Sequence, residues 1–295
     1  MANVTIPSVE GNVPFQVGDE IFYTYYKVFG DLKNRKHTPL VALHGGPGLV
    51  HDYLVPLSTL AGNPEIPVIL YDQIGNGKST HLREKPKSFW TIDLFIDEFI
   101  NLLRYLQIED EFHIYGHSWG AILGVEYELR RRPAGLRKLI ISNSLASMEL
   151  WNKSNMQLMQ GFPKEVQEGL MVGLADIPKY LAALEKYHAV HGCVVKPFPT
   201  ELKETLTNLN NPTVSVNMFS GELGTWTCID RLDQVRVSTL LLNGVDDIAQ
   251  DFVVRPFFDK IPKIKWFTFA KSSHTPFYEE RDKFMNLVAE FLMSS

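Results

Sequence analysis

Cysteine is nearly absent from this chain: only Cys193 and Cys228 occur in 295 residues. That excludes a disulfide framework and fits a reducing cytoplasm. Clusters of Lys and Arg with interleaved aromatics are missing too, and the net charge is −5, so nucleic acid is not an expected partner. No apolar run reaches the roughly 20 residues that span a bilayer, and no membrane partner is expected. The first residues, Met-Ala-Asn-Val-Thr-Ile-Pro, hold no basic segment followed by an apolar stretch, so no secretory leader is expected. Internal repeats and low-complexity segments are also lacking.

What is present is material for a large core. Hydrophobic residues make up 45% of the chain, and the length suits one large α/β domain or a core with an insertion. Residues 12–15 and 21–28 are rich in β-branched and aromatic side chains, with Gly18-Asp19 as a turn between them. Strand and helix then alternate. Short apolar strands are expected at 39–43, 67–71, 111–115 and 136–142. Residues 91–106 read as an amphipathic helix, because Ile92, Phe95, Ile96, Phe99, Leu102 and Leu103 recur at spacings of three and four. The rhythm breaks near Ser144. From about 148 to 232 the pattern is helical, and Met156, Met159, Leu170, Met171, Tyr180, Leu181 and Leu184 are expected to pack its core, with a substrate-lining role for some of them as the lesser reading. Strands resume at 238–242 and 264–269, followed by a terminal helix. This predicts an α/β fold with a mostly parallel twisted sheet, helices on both faces, and a helical lid at residues 146–233 inserted between core segments 1–145 and 234–295.

The chemistry gathers at the ends of the predicted strands. Gly116-His117-Ser118-Trp119-Gly120 stands between a strand and a helix, the setting in which Gly-x-Ser-x-Gly bends sharply and exposes its serine. A serine needs a base, and the base an orienting acid, in the chain order serine, acid, histidine. Asp247 stands three residues after Gly244 and is the chosen acid, with Asp246 the adjacent rival. His274 follows the last strand and is the expected base. His44-Gly45-Gly46-Pro47-Gly48 has little side-chain bulk, so the N–H groups of Gly46 and Trp119 are the expected oxyanion donors. Residues 72–79, Asp-Gln-Ile-Gly-Asn-Gly-Lys-Ser, read as a brace beneath these loops. His188, His191 and Cys193 invite a metal reading, but no fourth ligand accompanies them and the chemistry needs no metal, so none is assigned. An aspartate nucleophile, as in epoxide hydrolases and dehalogenases, is excluded by Ser118.

The HGGPG loop, DQIGNGKS, GHSWG and the late Asp and His together resemble the proline iminopeptidase family of α/β-hydrolases, over nearly the whole chain. STHLREKPKSFWTIDLFIDE, NGVDDIAQD and FAKSSHTPF are similar to its amino-acid amidase branch. The resemblance implies an α/β-hydrolase fold, no cofactor, a small-molecule or short-peptide substrate, and cleavage of an N-terminal residue or an amino-acid amide. It places the nucleophile at Ser118, the acid at Asp247, the base at His274 and the oxyanion donors at Gly46 and Trp119. The family holds the substrate amine with glutamates. One stands directly after the catalytic aspartate, where this chain has Ile248. The other precedes a Gly-rich, Trp-containing stretch. Glu222 takes that place if a gap follows it, and Val216 does otherwise. Glu222, Trp226 and Ile248 are thus the candidate substrate-binding residues, and selectivity for a free amine is expected to be weak. Two other readings compete: the same machinery acting on another amide, ester or lactone, and a non-catalytic ligand receptor on a hydrolase fold.

Overall fold

The computed structural model describes residues 6–207 and 213–294. The strands are β1 (Ser8–Val17), β2 (Glu20–Phe29), β3 (Leu40–Leu43), β4 (Val68–Tyr71), β5 (Phe112–His117), β6 (Leu136–Ser142), β7 (Ser238–Gly244) and β8 (Ile264–Phe269). They form one sheet in the order β1-β2-β4-β3-β5-β6-β7-β8. β1 and β2 are an antiparallel hairpin, β2 runs antiparallel to β4, and every later pairing is parallel. The helices are α1 (Thr59–Gly62), α2 (Ile92–Tyr105), α3 (Trp119–Arg131), α4 (Met148–Met159), α5 (Lys164–Val172), α6 (Ile177–His191), α7 (Thr200–Thr207), α8 (Thr213–Ser220), α9 (Asp251–Lys260), α10 (Pro276–Glu279) and α11 (Arg281–Met293).

Side chains alternate across a strand, and here the alternation sorts the core into two layers. Val41 and Leu43 of β3, Ile114 of β5 and Leu241 of β7 meet Phe95 and Phe99 of α2, Ile122 of α3 and Phe257 of α9. Leu40, Ala42, Tyr115, Leu240 and Leu242 point the other way, onto Tyr53 and onto Phe284 and Val288 of α11. Each Val, Leu, Ile or Phe among them contributes about 1.5–3 kcal/mol by leaving water. Thr91 caps α2 by accepting the Leu94 N–H at 3.1 Å, which fixes where that helix begins.

Between β6 and β7 lie α4 to α8 with short 3₁₀ turns, and Ser147 and Thr227 form an isolated antiparallel bridge. The expectation that the Met and Leu stripe packs a core here is overturned. Met156, Met171 and Leu181 are 60%, 73% and 45% exposed. α5 and α6 approach closely at small residues: a Cβ on Gly169 would collide with Ala183, and Met171 and Leu181 are left outside. Tyr180 and Leu184 turn toward a cavity rather than a core. Among the described residues, no helix is long and apolar enough to cross a membrane.

Candidate active site

The parallel strands deliver their carboxyl ends to one edge, where ligands of open α/β sheets bind. Ser118 follows β5 and leads into α3. A Cβ on Gly120 would run into the Leu43 carbonyl and one on Gly116 into the Ala121 Cα, so this turn closes only with glycine at both places. Ser118 holds φ 53° and ψ −119°, a conformation that a side chain disfavours. Its N–H donates to Ser142 O at 2.9 Å, and its carbonyl accepts from Ser144 Oγ at 2.8 Å.

Asp247 lies after β7 and is wholly buried. Its Oδ1 accepts from His274 Nδ1 at 2.6 Å and from the Ala249 N–H at 2.9 Å. Its Oδ2 accepts from Asn143 Nδ2 at 2.6 Å. With Nδ1 donating, Nε2 is the basic nitrogen of His274. Asp246 is exposed and bonds through its backbone: its carbonyl accepts from His191 Nδ1 at 2.8 Å and its N–H donates to Ser272 O at 3.1 Å. Asn143 was missed from the sequence; its signal is a polar residue directly after a buried strand, in a left-handed conformation that Asn tolerates.

The loop after β3 is fixed from two sides. His44 Nε2 accepts the Gln73 N–H at 3.0 Å, and Gln73 Oε1 accepts from Trp119 Nε1 at 2.8 Å. Burial presses the His44 pKa down to about 4, so the ring is neutral, and its Nδ1 donates to Gly45 O at 3.0 Å. On the other side the Gly45 N–H donates to Tyr53 Oη at 2.7 Å. Tyr53 lies 2.9 Å from His117 Nδ1, and His117 Nε2 lies 2.9 Å from the His274 carbonyl. A carbonyl only accepts, so Nε2 carries the His117 proton and Tyr53 donates to Nδ1. Burial holds the His117 pKa well below its ordinary value, which keeps the ring neutral. The glycine loop and the backbone of His274 are thereby joined through two buried side chains. Asp72 secures the turn after β4: its Oδ1 accepts from the His51 N–H and ring, each at 2.8 Å, and its Oδ2 from the Lys78 N–H at 2.9 Å.

A cavity of about 300 Å³ opens over Ser118. Ser118, His274, Gly46 and Ile248 line it together with Trp151, Tyr187 and His188 of the helical insertion. A smaller recess of about 30 Å³ is lined by Gly46, Ser118 and Trp119 among others. Five of the expected site residues thus share this edge, with Asp247 directly behind His274. Glu222 and Trp226 do not line the cavity, contrary to expectation. Glu222 Oε1 accepts from Arg130 Nη2 at 2.8 Å and its Oε2 from the Ile92 N–H at 2.7 Å, because the N-terminus of α2 and the Arg130 guanidinium offer it better partners. Trp226 is buried, and its Nε1 donates to Glu126 Oε1 at 2.9 Å. His188 faces the cavity, His191 bonds Asp246, and Cys193 is buried against the other face of the sheet.

Residues 38–169 match the α/β-hydrolase fold family. The proline iminopeptidase of Clostridioides difficile strain 630 is 32% identical over 294 residues, spanning 96% of this chain and 97% of its own. The crystal structure of the proline iminopeptidase of Mycobacterium smegmatis superimposes with a TM-score of 0.85 at 36% identity, over 96% of this chain and 97% of that one. The crystal structure of VinJ superimposes with a TM-score of 0.90 at 39% identity, over 97% of this chain and 98% of that one.

Proposed function

Because this chain belongs to the proline iminopeptidase family of α/β-hydrolases, we propose that it is a serine hydrolase that cleaves amide or peptide bonds through an acyl-enzyme on Ser118. The observation that carries this reading is the 2.6 Å bond from His274 to Asp247 on the wall of the cavity that Ser118 also lines. His274 Nε2 accepts the Ser118 proton as Oγ bonds to the substrate carbonyl carbon. The oxygen becomes an oxyanion, for which the N–H groups of Gly46 and Trp119 are the donors. The imidazolium, steadied by Asp247, returns the proton to the leaving amine as the C–N bond breaks. Water, deprotonated by His274, then hydrolyses the ester and restores Ser118.

The cavity volume of about 300 Å³ supports a small-molecule or short-peptide substrate, and no step calls for a cofactor. What carries over from the relatives is amide hydrolysis; the cavity lining, rather than the shared machinery, sets the acyl group accepted. Two free, buried cysteines support a cytoplasmic setting. A fluorophosphonate should label Ser118, and Ser118→Ala should lose labelling and turnover while keeping its circular dichroism. Undiminished turnover in that variant would overturn the mechanism.

A further inference from the structure

We propose that the cavity over Ser118 is built for uncharged acyl groups: it takes amides whose acyl end is apolar and bears no free amine, and it discriminates against the ammonium of an unblocked N-terminus. The inference rests on the hydrolase reading above and narrows its substrate class.

An ammonium leaving water needs a carboxylate partner, since burying an unpaired charge is costly. Among the described residues, no Asp or Glu lines the cavity. Residues 208–212, Asn-Leu-Asn-Asn-Pro, contain none either. Asp247, next to Ile248 in sequence, is wholly buried and already accepts from His274, Ala249 and Asn143. Glu222 is held by Arg130 and by the Ile92 N–H. The position directly after Asp247 presents Ile248 to the cavity.

The polar side chains that the helical insertion turns to the cavity include Tyr187, Asn155 and His188. Tyr187 Oη donates to Asn155 Oδ1 at 3.0 Å, and Asn155 Nδ2 donates to Trp151 O at 2.9 Å. Burial holds the His188 pKa down to about 4, with His274 and His191 adding to the effect. His188 therefore meets the ligand as a neutral imidazole, suited to a carbonyl, hydroxyl or amide. Ring faces such as Trp151 attract a cation, but more weakly than desolvation opposes it. The lining as a whole recognises an apolar body with neutral hydrogen-bonding groups.

Three p-nitroanilides sharing one phenyl side chain test this: L-phenylalanyl, N-acetyl-L-phenylalanyl and 3-phenylpropanoyl. Turnover is read on the intact enzyme, and binding of the same compounds by calorimetry on Ser118→Ala, where chemistry is removed. At pH 6, where only about 1–2% of an α-amine with a pKa of about 7.7–8.0 is neutral, an uncharged member should exceed the free amine at least tenfold, both in kcat/KM and in affinity. The gap should narrow above about pH 8, as the substrate α-amine loses its proton. If the free amine binds Ser118→Ala as well as the uncharged compounds do, or if neither uncharged compound binds, the proposal falls. If an uncharged compound binds preferentially but the intact enzyme cleaves none of the three, the binding preference stands and the hydrolase reading fails instead.

Discussion

Ser118 holds its unusual backbone conformation because its surroundings leave no other. Such a conformation costs on the order of 1–3 kcal/mol. It is offset here by bonds to Ser142 and Ser144 and by glycines that let α3 lie against β3 and β5. The same economy of placement separates the two adjacent aspartates. Asp247 is buried with three donors on its carboxylate, whereas Asp246 is exposed. Replacing Asp247 by Asn puts an amide against His274 Nδ1 and favours the wrong tautomer. Asp247→Asn should therefore lower kcat by about 10⁴-fold, as the equivalent change does in a well-studied serine protease. Asp246→Asn should stay within a few-fold of the parent. Steady-state kinetics on one anilide substrate decides, and the reverse ranking would move the acid to Asp246.

Elements were legible wherever a period met a boundary residue. The sequence places β6 and β8 at their observed bounds, and α2 within one residue of them, because Thr91 caps a strongly periodic run. The hairpin of β1 and β2 extends beyond the expected strands on both sides, since outer positions such as Ser8, Glu10, Gln16 and Glu20 are exposed and polar. Residues of the insertion were harder to place. A helical stripe of Met and Leu looks the same whether it meets a core, a cavity or solvent, and only the Gly169–Ala183 approach decides which. Glu222 was misplaced for a similar reason: its partners Arg130 and Ile92 are distant in sequence. Those ties belong to a cluster that joins the end of the insertion to α3. Glu126 is wholly buried and binds Arg130, Arg231 and Trp226. Burial opposes its charge, but Arg231 and Arg130 overcome that and hold its pKa below the usual carboxylate range. Glu126→Ala should destabilise the protein by about 2–3 kcal/mol, at or below the low end for a buried pair because both arginines can still reach water. Urea denaturation measures this; a change under about 0.5 kcal/mol would mean the cluster does not anchor the insertion.

Across the whole molecule, the meeting of Ser118, Asp247 and His274 was readable because each residue follows a strand, and parallel strands all end at one edge. The side chains that couple those loops, Asn143, Tyr53 and His117, were not readable as such, since their partners come from other strands. Glu98 is another such coupler, away from the chemistry. It stands on α2, accepts from Thr24 Oγ1 of β2 at 2.5 Å and from the Ile74 N–H after β4 at 2.9 Å, and is wholly buried. Burial raises its pKa from 4.5 to about 8, despite the bonds from Thr24 and Ile74 that favour its charge. The folded protein therefore keeps this proton over a range in which the unfolded chain has lost it. The resulting stability is fully present below about pH 4.5 and is lost as pH rises toward about 8. Unfolding free energy should fall across that window with a slope from this group of at most about 1.4 kcal/mol per pH unit. Glu98→Gln carries a neutral side chain of the same shape and should flatten the profile. Urea midpoints for both proteins from pH 5 to 8 check this, and parallel profiles would show that Glu98 is ionised in the folded state.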